Sequence, residues 1–307
     1  MARLVVTSVV RGSGQGESHG GIYIVDLNKE LAYQAVNWTN ANIDWQGHGG
    51  DRGLRGLAVH ENRVYVASSE EILVYSPEFQ LLESYRNQYL KHCHGICVHE
   101  KHLFITSTAY DSVIAFNLDT KIFENAFLIQ TDGQNLRLRP FSPNKGDGPL
   151  PMNKLQINTV HCETGGMYIS GAKTNGLLLY NGKRLGVSTT LPEGAQNARP
   201  LRDGIVFIDS RQDKLRFASR SGNGDCALGL PMFPTAQLTN LDAQDGGVAR
   251  PGFGRGLCIL EDTLVATGSS PGTVALYDLK QKKMLKAINF SMDIRHTIHA
   301  IAEWPFI

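Results

Sequence analysis

The stretch "LKHCHGICVHEKH", Leu90 to His102, places four histidines and two cysteines within thirteen residues. Imidazole and thiolate are the usual ligands of zinc, and either group can act as acid, base or nucleophile. Taken alone, Cys93 and Cys97 with His92, His94, His99 and His102 have the composition of a metal centre. The spacing argues otherwise, because "HCHGIC" lacks paired CxxC ligands and has no second pair beyond it. Which of these side chains do chemistry depends on the elements that carry them.

Those elements are repeats. "RGLAVHENRVYVASSEEILVYSPEFQLLESY" from Arg55 runs parallel to "HGICVHEKHLFITSTAYDSVIAFNLDTKIFENAF" from His94. The pattern returns as "NTVHCETGGMYISGAKTNGLLLYNGKRL" from Asn158, as "NARPLRDGIVFIDSRQDKLRFAS" from Asn197, and as "RGLCILEDTLVATGSSPGTVALYDLKQKKMLKAI" from Arg255. Each copy alternates short β-branched and aromatic runs with Gly, Asn, Asp or Ser turns, and no long stretch keeps a 3.6-residue period. Three or four short strands every 40–50 residues or so is the grammar of a β-propeller blade. "HAIAEWPFI" from His299 supplies an innermost strand, and "RLVVTSVVRGSGQGESHGGIYIVDLNKELAYQAV" from Arg3 the remaining strands of the same blade. The expectation is an all-β chain, a single six-bladed β-propeller domain over 1–307 whose last blade is closed by strands from both ends. Its blades fall near 299–307 with 3–45, then 53–87, 94–130, 155–191, 195–230 and 255–290.

In this register most of the opening cluster becomes structural. His99 aligns with His60 after an innermost strand, His102 with Arg63 at a turn. Cys97 aligns with Ala58, Cys258 and Ala302, where strands crowd and a thiol packs as a small hydrophobe. His161 falls in that same small-residue column, where a satisfied core histidine is one reading and a ligand the other. One column differs in kind. Arg55, His94, Asn158, Asn197, Arg255 and His299 stand just before the innermost strands, whose starting ends should meet at one mouth of a central channel. Two arginines, two histidines and two asparagines suit an anion, or a metal and an anion together. Loops between second and third strands should open on the same face, bringing Glu17 and His19, Glu70, Tyr110 with Asp111, Lys173, and Asp209 with Arg211. His92 is close enough in sequence to add a third imidazole. Two long connections, 129–154 and 219–254, read as lids or binding loops. The Gly-rich "GHGGDRG" around His48 reads as a flexible loop, and "SGQGESHGG" matches no phosphate-binding fingerprint.

Composition narrows the partners. The 307 residues include 30 basic and 29 acidic side chains, a formal charge of +1, so neither nucleic acid nor a membrane surface is an expected partner. Five cysteines, an odd number scattered through the chain, do not read as a disulfide framework. The N-terminal apolar run is short and lacks a cleavage site, which makes a reducing cytoplasm the expected location. No run approaches the roughly 18 apolar residues that span a bilayer.

"RGLAVHENRVYVAS", "HGICVHEKHLFITS" and "RGLCILEDTLVATGSS", each leading into "VYSP", "AFNL" or "LYDL", resemble the NHL and SMP-30/gluconolactonase-like superfamily of six-bladed propellers. "LQINTV", "PLRDGIVFIDS" and "GFGRGLCI…VATGSS" are similar to motifs of uncharacterised bacterial propeller proteins. The resemblance implies a divalent metal held near the axis, with Glu17, Asn158, Asn197 and Asp209 nearest by blade position. The histidines and arginines of the column depart from that pattern.

Two functions fit. In the first, an enzyme takes a small, polar, anionic substrate at the channel mouth for hydrolysis or elimination. His94 and His299 act as acid and base or hold a divalent metal with Glu17 and His19, and Arg55, Arg255, Asn158 and Asn197 bind substrate. In the second, the same face is a non-catalytic scaffold for a ligand or a partner protein. No motif for an organic cofactor is present.

Overall fold

The computed structural model describes residues 3–39, 52–133, 135–222, 224–243 and 249–306. The segment around His48 lies outside them, apart from Arg52 and Gly53. Apart from two three-residue 3-10 turns, Thr108–Tyr110 and Thr235–Gln237, the regular elements of the described chain are all strands. In order these are β1 (Arg3–Val10), β2 (Gly20–Asp26), β3 (Leu31–Asn37), β4 (Leu57–His60), β5 (Arg63–Ala67), β6 (Glu71–Tyr75), β7 (Leu81–Arg86), β8 (Cys93–His99), β9 (His102–Ser107), β10 (Ser112–Asn117), β11 (Phe123–Thr131) and β12 (Leu136–Phe141). The second half holds β13 (Ile157–Glu163), β14 (Gly166–Gly171), β15 (Gly176–Tyr180), β16 (Leu185–Thr190), β17 (Ala195–Leu201), β18 (Gly204–Asp209), β19 (Lys214–Ser219), β20 (Cys226–Gly229), β21 (Gly254–Ile259), β22 (Leu264–Ser269), β23 (Thr273–Asp278), β24 (Lys283–Asn289) and β25 (His296–Trp304).

They form six sheets, ordered β25-β1-β2-β3, β4-β5-β6-β7, β12-β11-β10-β9-β8, β13-β14-β15-β16, β17-β18-β19-β20 and β21-β22-β23-β24. These are the blades of a six-bladed β-propeller, and strands from the two ends of the sequence share one of them, as the repeat alignment requires. Within a blade, burial is graded. The middle strands β10, β18 and β23 are buried at every position, so they read as continuous apolar runs. Outer strands β3, β7 and β16 are largely exposed. Between third and fourth strands the chain turns on a side chain that accepts backbone N–H groups. Asp26 takes those of Asn28 and Lys29, Asn117 those of Asp119 and Thr120, Asn181 those of Lys183 and Arg184, and Ser76 those of Glu78 and Gln80. The recurring "VYSP", "AFNL" and "LYDL" are therefore turn chemistry, with the polar residue of each fixed by the donors it must satisfy.

The chain divides into two compact units, Met1–Val59 with Pro200–Ile307, and His60–Arg199. In the first unit, one apolar cluster gathers Val206, Ile208, Leu257, Val265 and Tyr277, and another Leu4, Val6, Ile288, Ile298 and Ile301. In the second, Val113, Ile157, Val160, Ile169 and Leu178 pack with Phe104 and Phe127.

The long connections differ from the sequence expectation. Residues 129–154 are not all loop, because β11 continues to Thr131 and β12 pairs with it, from Ala126–Phe141 to Thr131–Leu136, as a fifth strand. The chain leading from β12 into β13 is pinned by Asp111, whose buried carboxylate accepts the N–H groups of Lys154, Leu155 and Ile157 at 2.5, 3.0 and 3.3 Å. Asp111 is thus a structural staple rather than a loop acid presented to a ligand. The second connection touches down at Thr239, which bridges to Asp293 and exchanges backbone bonds with Met292 and Ile294.

Candidate functional site

The polar column picked out by repeat alignment coincides with a backbone feature. In β13, pairing passes from Ile157–Gly171 directly to Thr159–Ser170, leaving Asn158 as an extra residue. Arg255 is left over between Gly254–Ser269 and Gly256–Gly268, and His299 between Ile298–Ser8 and Ala300–Thr7. In β8 the register moves from Cys93–Ser107 to Ile96–Ile105, so His94 and Gly95 share the bulge. Asn197, on β17, has φ 49°, the left-handed region that asparagine tolerates. A bulge turns its extra side chain out of the in-and-out alternation of the strand, which is why such positions recur beside binding sites.

In the unit His60–Arg199 the column is tied into the framework. His94 Nδ1 lies 2.7 Å from the carbonyl of His92 and 2.8 Å from Thr108 Oγ1, while that hydroxyl donates to Ile157 O at 2.6 Å. Nδ1 must therefore carry the proton, and Nε2 holds the lone pair of the neutral ring. His92 contributes its carbonyl here, at φ 52°. Asn158 is buried, donates to Gln196 Oε1 at 2.9 Å and accepts from Thr159 at 3.0 Å. Of the remaining opening residues, Cys93 is fully buried, and His102 Nε2 meets Glu124 at 2.9 Å just as Arg63 meets Glu83 at 3.2 Å one blade earlier. The alignment of His102 with Arg63 thus has a physical counterpart.

In the unit of Met1–Val59 and Pro200–Ile307 the column joins a concentration of arginine. The guanidinium carbons of Arg11, Arg250 and Arg255 lie 5.9, 5.7 and 5.6 Å from the centroid of the Phe253 ring. Arg250 is matched by Asp213 at 2.7 Å. Phe253 is itself buried, so the ring offers its faces and edge to cations in a low-dielectric setting. β21, which carries Arg255, packs on β25, which carries His299. The fit is close, since a Cβ on Gly268 would meet Ile298 at 2.5 Å and one on Gly256 would meet Ile301 at 3.0 Å. His299 is 5% exposed. Arg55 is 1% exposed, so its guanidinium is inside the protein, while its carbonyl accepts the Thr7 hydroxyl.

The same unit holds a cavity of about 480 Å³ lined by Val10, Glu17, Tyr23, Asp293, Arg295 and His296 among others, with none of the Phe253-bound arginines in its wall. Arg295 grips Asp293 through Nε and Nη2 at 2.9–3.1 Å and approaches Glu17 at 3.7 Å. Glu17 also accepts Gly14 N–H at 2.8 Å. His296 packs tilted against Tyr23 and edge-on to Phe290, and burial pushes its pKa down to about 4 against an opposing pull from Asp293. Its Nε2 is buried without a hydrogen-bond partner among the described residues. Burial also lifts the Tyr23 phenol to about 12, keeping it a donor. Repeat alignment begins this strand at His299 and passes over His296. The "HTIH" spacing is the only signal of it in the sequence, and the pairing of His296 with Val10 is not readable there. Arg11 and Phe253 escape as well, because the ring that gathers the guanidiniums lies in a loop outside the repeat.

The metal set His94, His299, Glu17 and His19 is divided between the units. His19 is buried, its Nδ1 bonded to Ser13 at 2.7 Å, and its pKa is lowered by burial and by the Arg52 cation. Of the set implied by family resemblance, Asp209 is committed to Arg216 at 2.9 Å and to Gln212 N–H at 3.1 Å. Among the described residues no group of three or more His, Cys, Asp or Glu side chains is arranged to hold a metal ion. Nor is any described helix long and apolar enough to cross a membrane.

No family model and no curated protein matches the chain. Solved structures do. A protein of unknown function from Bacteroides caccae aligns over 99% of both chains with a TM-score of 0.58 at 10% identity. The WD40 repeats of RRP9 align over 78% of this chain and 64% of that one, with a TM-score of 0.49 at 13% identity. Virginiamycin B lyase from Staphylococcus aureus aligns over 78% and 71%, with a TM-score of 0.46 at 9% identity. At such identities the likeness is one of fold, and it gives no support to the narrower NHL or SMP-30 resemblance. The likeness to the Bacteroides caccae protein, over 99% of both chains, accords with the six-bladed β-propeller seen in the sheet order.

Proposed function

We propose that the chain recognises a small molecule bearing a carboxylate or phosphate through Arg255 and Arg11, with His299 as the acid–base group of a hydrolysis or elimination. The observation that carries this reading is the convergence of three guanidinium groups on Phe253, one of them turned out of its strand by a bulge. A carboxylate or phosphate accepts charge-assisted, bidentate hydrogen bonds from guanidinium groups, and these are strengthened where water is partly excluded. Arg255 is assigned to the ligand because the bulge turns it out of β21, and Arg11 because it shares the same ring; Arg250 is largely neutralised by Asp213. The guanidiniums themselves supply the positive charge in this scheme, so binding does not require a metal.

The test is calorimetric titration of the full chain with inorganic phosphate, succinate and simple phosphate esters at low salt. Saturable binding is expected, weakened at least about tenfold in Arg255→Gln and in Arg11→Gln, as loss of a charge-assisted hydrogen bond implies. His299→Gln should bind unchanged and lose turnover of any ester the parent cleaves. Binding with no turnover in the parent supports the non-catalytic scaffold, and equal binding by Arg255→Gln overturns the assignment.

A further inference from the structure

The opening cysteines acquire a partner that sequence spacing does not suggest. β8 and β13 are the innermost strands of consecutive blades and pack against each other inside the unit His60–Arg199. Gly95 permits the approach, since a Cβ there would stand 2.7 Å from Asn158 O and 2.9 Å from Thr159 Cα. Two residues further on, Cys97 Sγ accepts the N–H of Cys162 at 3.4 Å. The Cys97 thiol itself donates to Val98 O at 3.6 Å, and the side chains that act on it electrostatically are the Cys162 thiol and the His161 ring. The backbone of Cys162 therefore meets the Cys97 sulfur, although 65 residues separate the cysteines in sequence. Cys97 and Cys162 are half-buried against an apolar cluster containing Val160, Ile169 and Phe104, and His161 is half-buried beside Cys162 in the sequence. Cys93, which the sequence places nearest to Cys97, is fully buried and takes no part in the group.

We propose that Cys97 and Cys162 form a peroxide-reactive dithiol, with Cys97 as nucleophile, Cys162 as resolving thiol and His161 as proton carrier. The neighbouring Cys162 thiol and then the His161 ring lower the pKa of Cys97 against the effect of burial, while the nearby Cys97 sulfur and burial raise that of Cys162, so the two thiols have distinct roles. Half-burial favours a small oxidant over a bulky disulfide. Sulfur of Cys97 attacks the terminal oxygen of a hydroperoxide; the S–O bond forms, the O–O bond breaks, and the departing alkoxide or hydroxide takes the proton shared by Cys97 and His161. Cys162 then passes its proton to His161 and attacks the sulfenic sulfur of Cys97. The S–S bond forms and hydroxide leaves, collecting that proton as water. Two thiols and one hydroperoxide become one disulfide, one alcohol or water, and one further water, with two electrons passing to the peroxide oxygens.

The experiment treats the full, unmutated chain with one equivalent of hydrogen peroxide and maps its peptides by mass spectrometry. A Cys97–Cys162 cross-link about two mass units lighter than the dithiol, reversed by dithiothreitol, is the expected product. In Cys162→Ser the oxidation should stop at a sulfenic acid on Cys97 that dimedone traps, and in Cys97→Ser Cys162 should remain unmodified. His161→Gln should slow cross-linking about tenfold or more, without changing alkylation of Cys226 in the same sample. Modification of Cys226 or Cys258 before Cys97 in the parent, or a cross-link joining any other pair, overturns the proposal. Because the decisive map uses the parent chain, a variant that fails to fold does not obscure the result.

Discussion

His296 illustrates what one buried side chain contributes. An imidazole held neutral against the rings of Tyr23 and Phe290 takes up a proton when the chain unfolds in acid. Its pKa is about 4 in the folded protein against an ordinary value of 6.5. A depressed histidine contributes stability that is full above 6.5 and lost as pH falls through about 4, because the unfolded chain binds the proton first. The linkage is on the order of 3 kcal/mol. Denaturant unfolding at pH 7, 6, 5 and 4 should show the parent losing stability across this window. His296→Phe, which keeps the aromatic contacts and has nothing to protonate, should have a shallower acid limb. A limb of equal slope would mean that the ring is already solvated in the folded state. The same logic separates Asp111 and Asp209 from the ligand: each is occupied by backbone amides or an arginine, and their charge is used to hold loops.

At the scale of the element, the bulge and the strand contact decide where chemistry can occur. Gly95 sets the distance between β8 and β13, and even Ala there must push the strands apart. Gly95→Ala is expected to cost about 1–3 kcal/mol in unfolding free energy. It should also slow peroxide-driven linkage of Cys97 to Cys162 relative to the parent, and unchanged linkage in a folded variant would place the contact elsewhere. This contact is invisible in the sequence for a physical reason. Repeat alignment reports which residues share a place in their own blades, whereas Cys97 and Cys162 meet across two sheets. The polar column is legible because each blade repeats it, yet its cause is hidden. Whether Arg255 or His299 is an extra residue depends on pairing register, which needs both strands. β12 escapes for a different reason. "LRLRPF" carries two arginines and a proline, which read as loop, and both residue types are at home on an exposed sheet edge.

For the whole molecule, near-neutral net charge conceals local concentration. The formal charge is +1, yet Arg11, Arg52, Arg55, Arg250 and Arg255 belong to one unit, and so to the unit in which anion binding is expected to weaken with salt. That unit also contains the pairing of β1 with β25, from Arg3–Trp304 to Val10–His296. Truncation after Arg295 removes the strand covering β1 and leaves "RLVVTSVV" with an open edge. The expected result is loss of cooperative unfolding and appearance of aggregate by size-exclusion chromatography; a monomeric, cooperatively folded product would show that the other strands suffice. The same pairing has a consequence in time. At ribosomal elongation rates of about 5–20 residues per second, β25 is made roughly 15–60 s after β1. Throughout that interval β1 has β2 on one edge and nothing yet made to cover the other. The danger to this chain is therefore kinetic and confined to its synthesis, and slower elongation prolongs it.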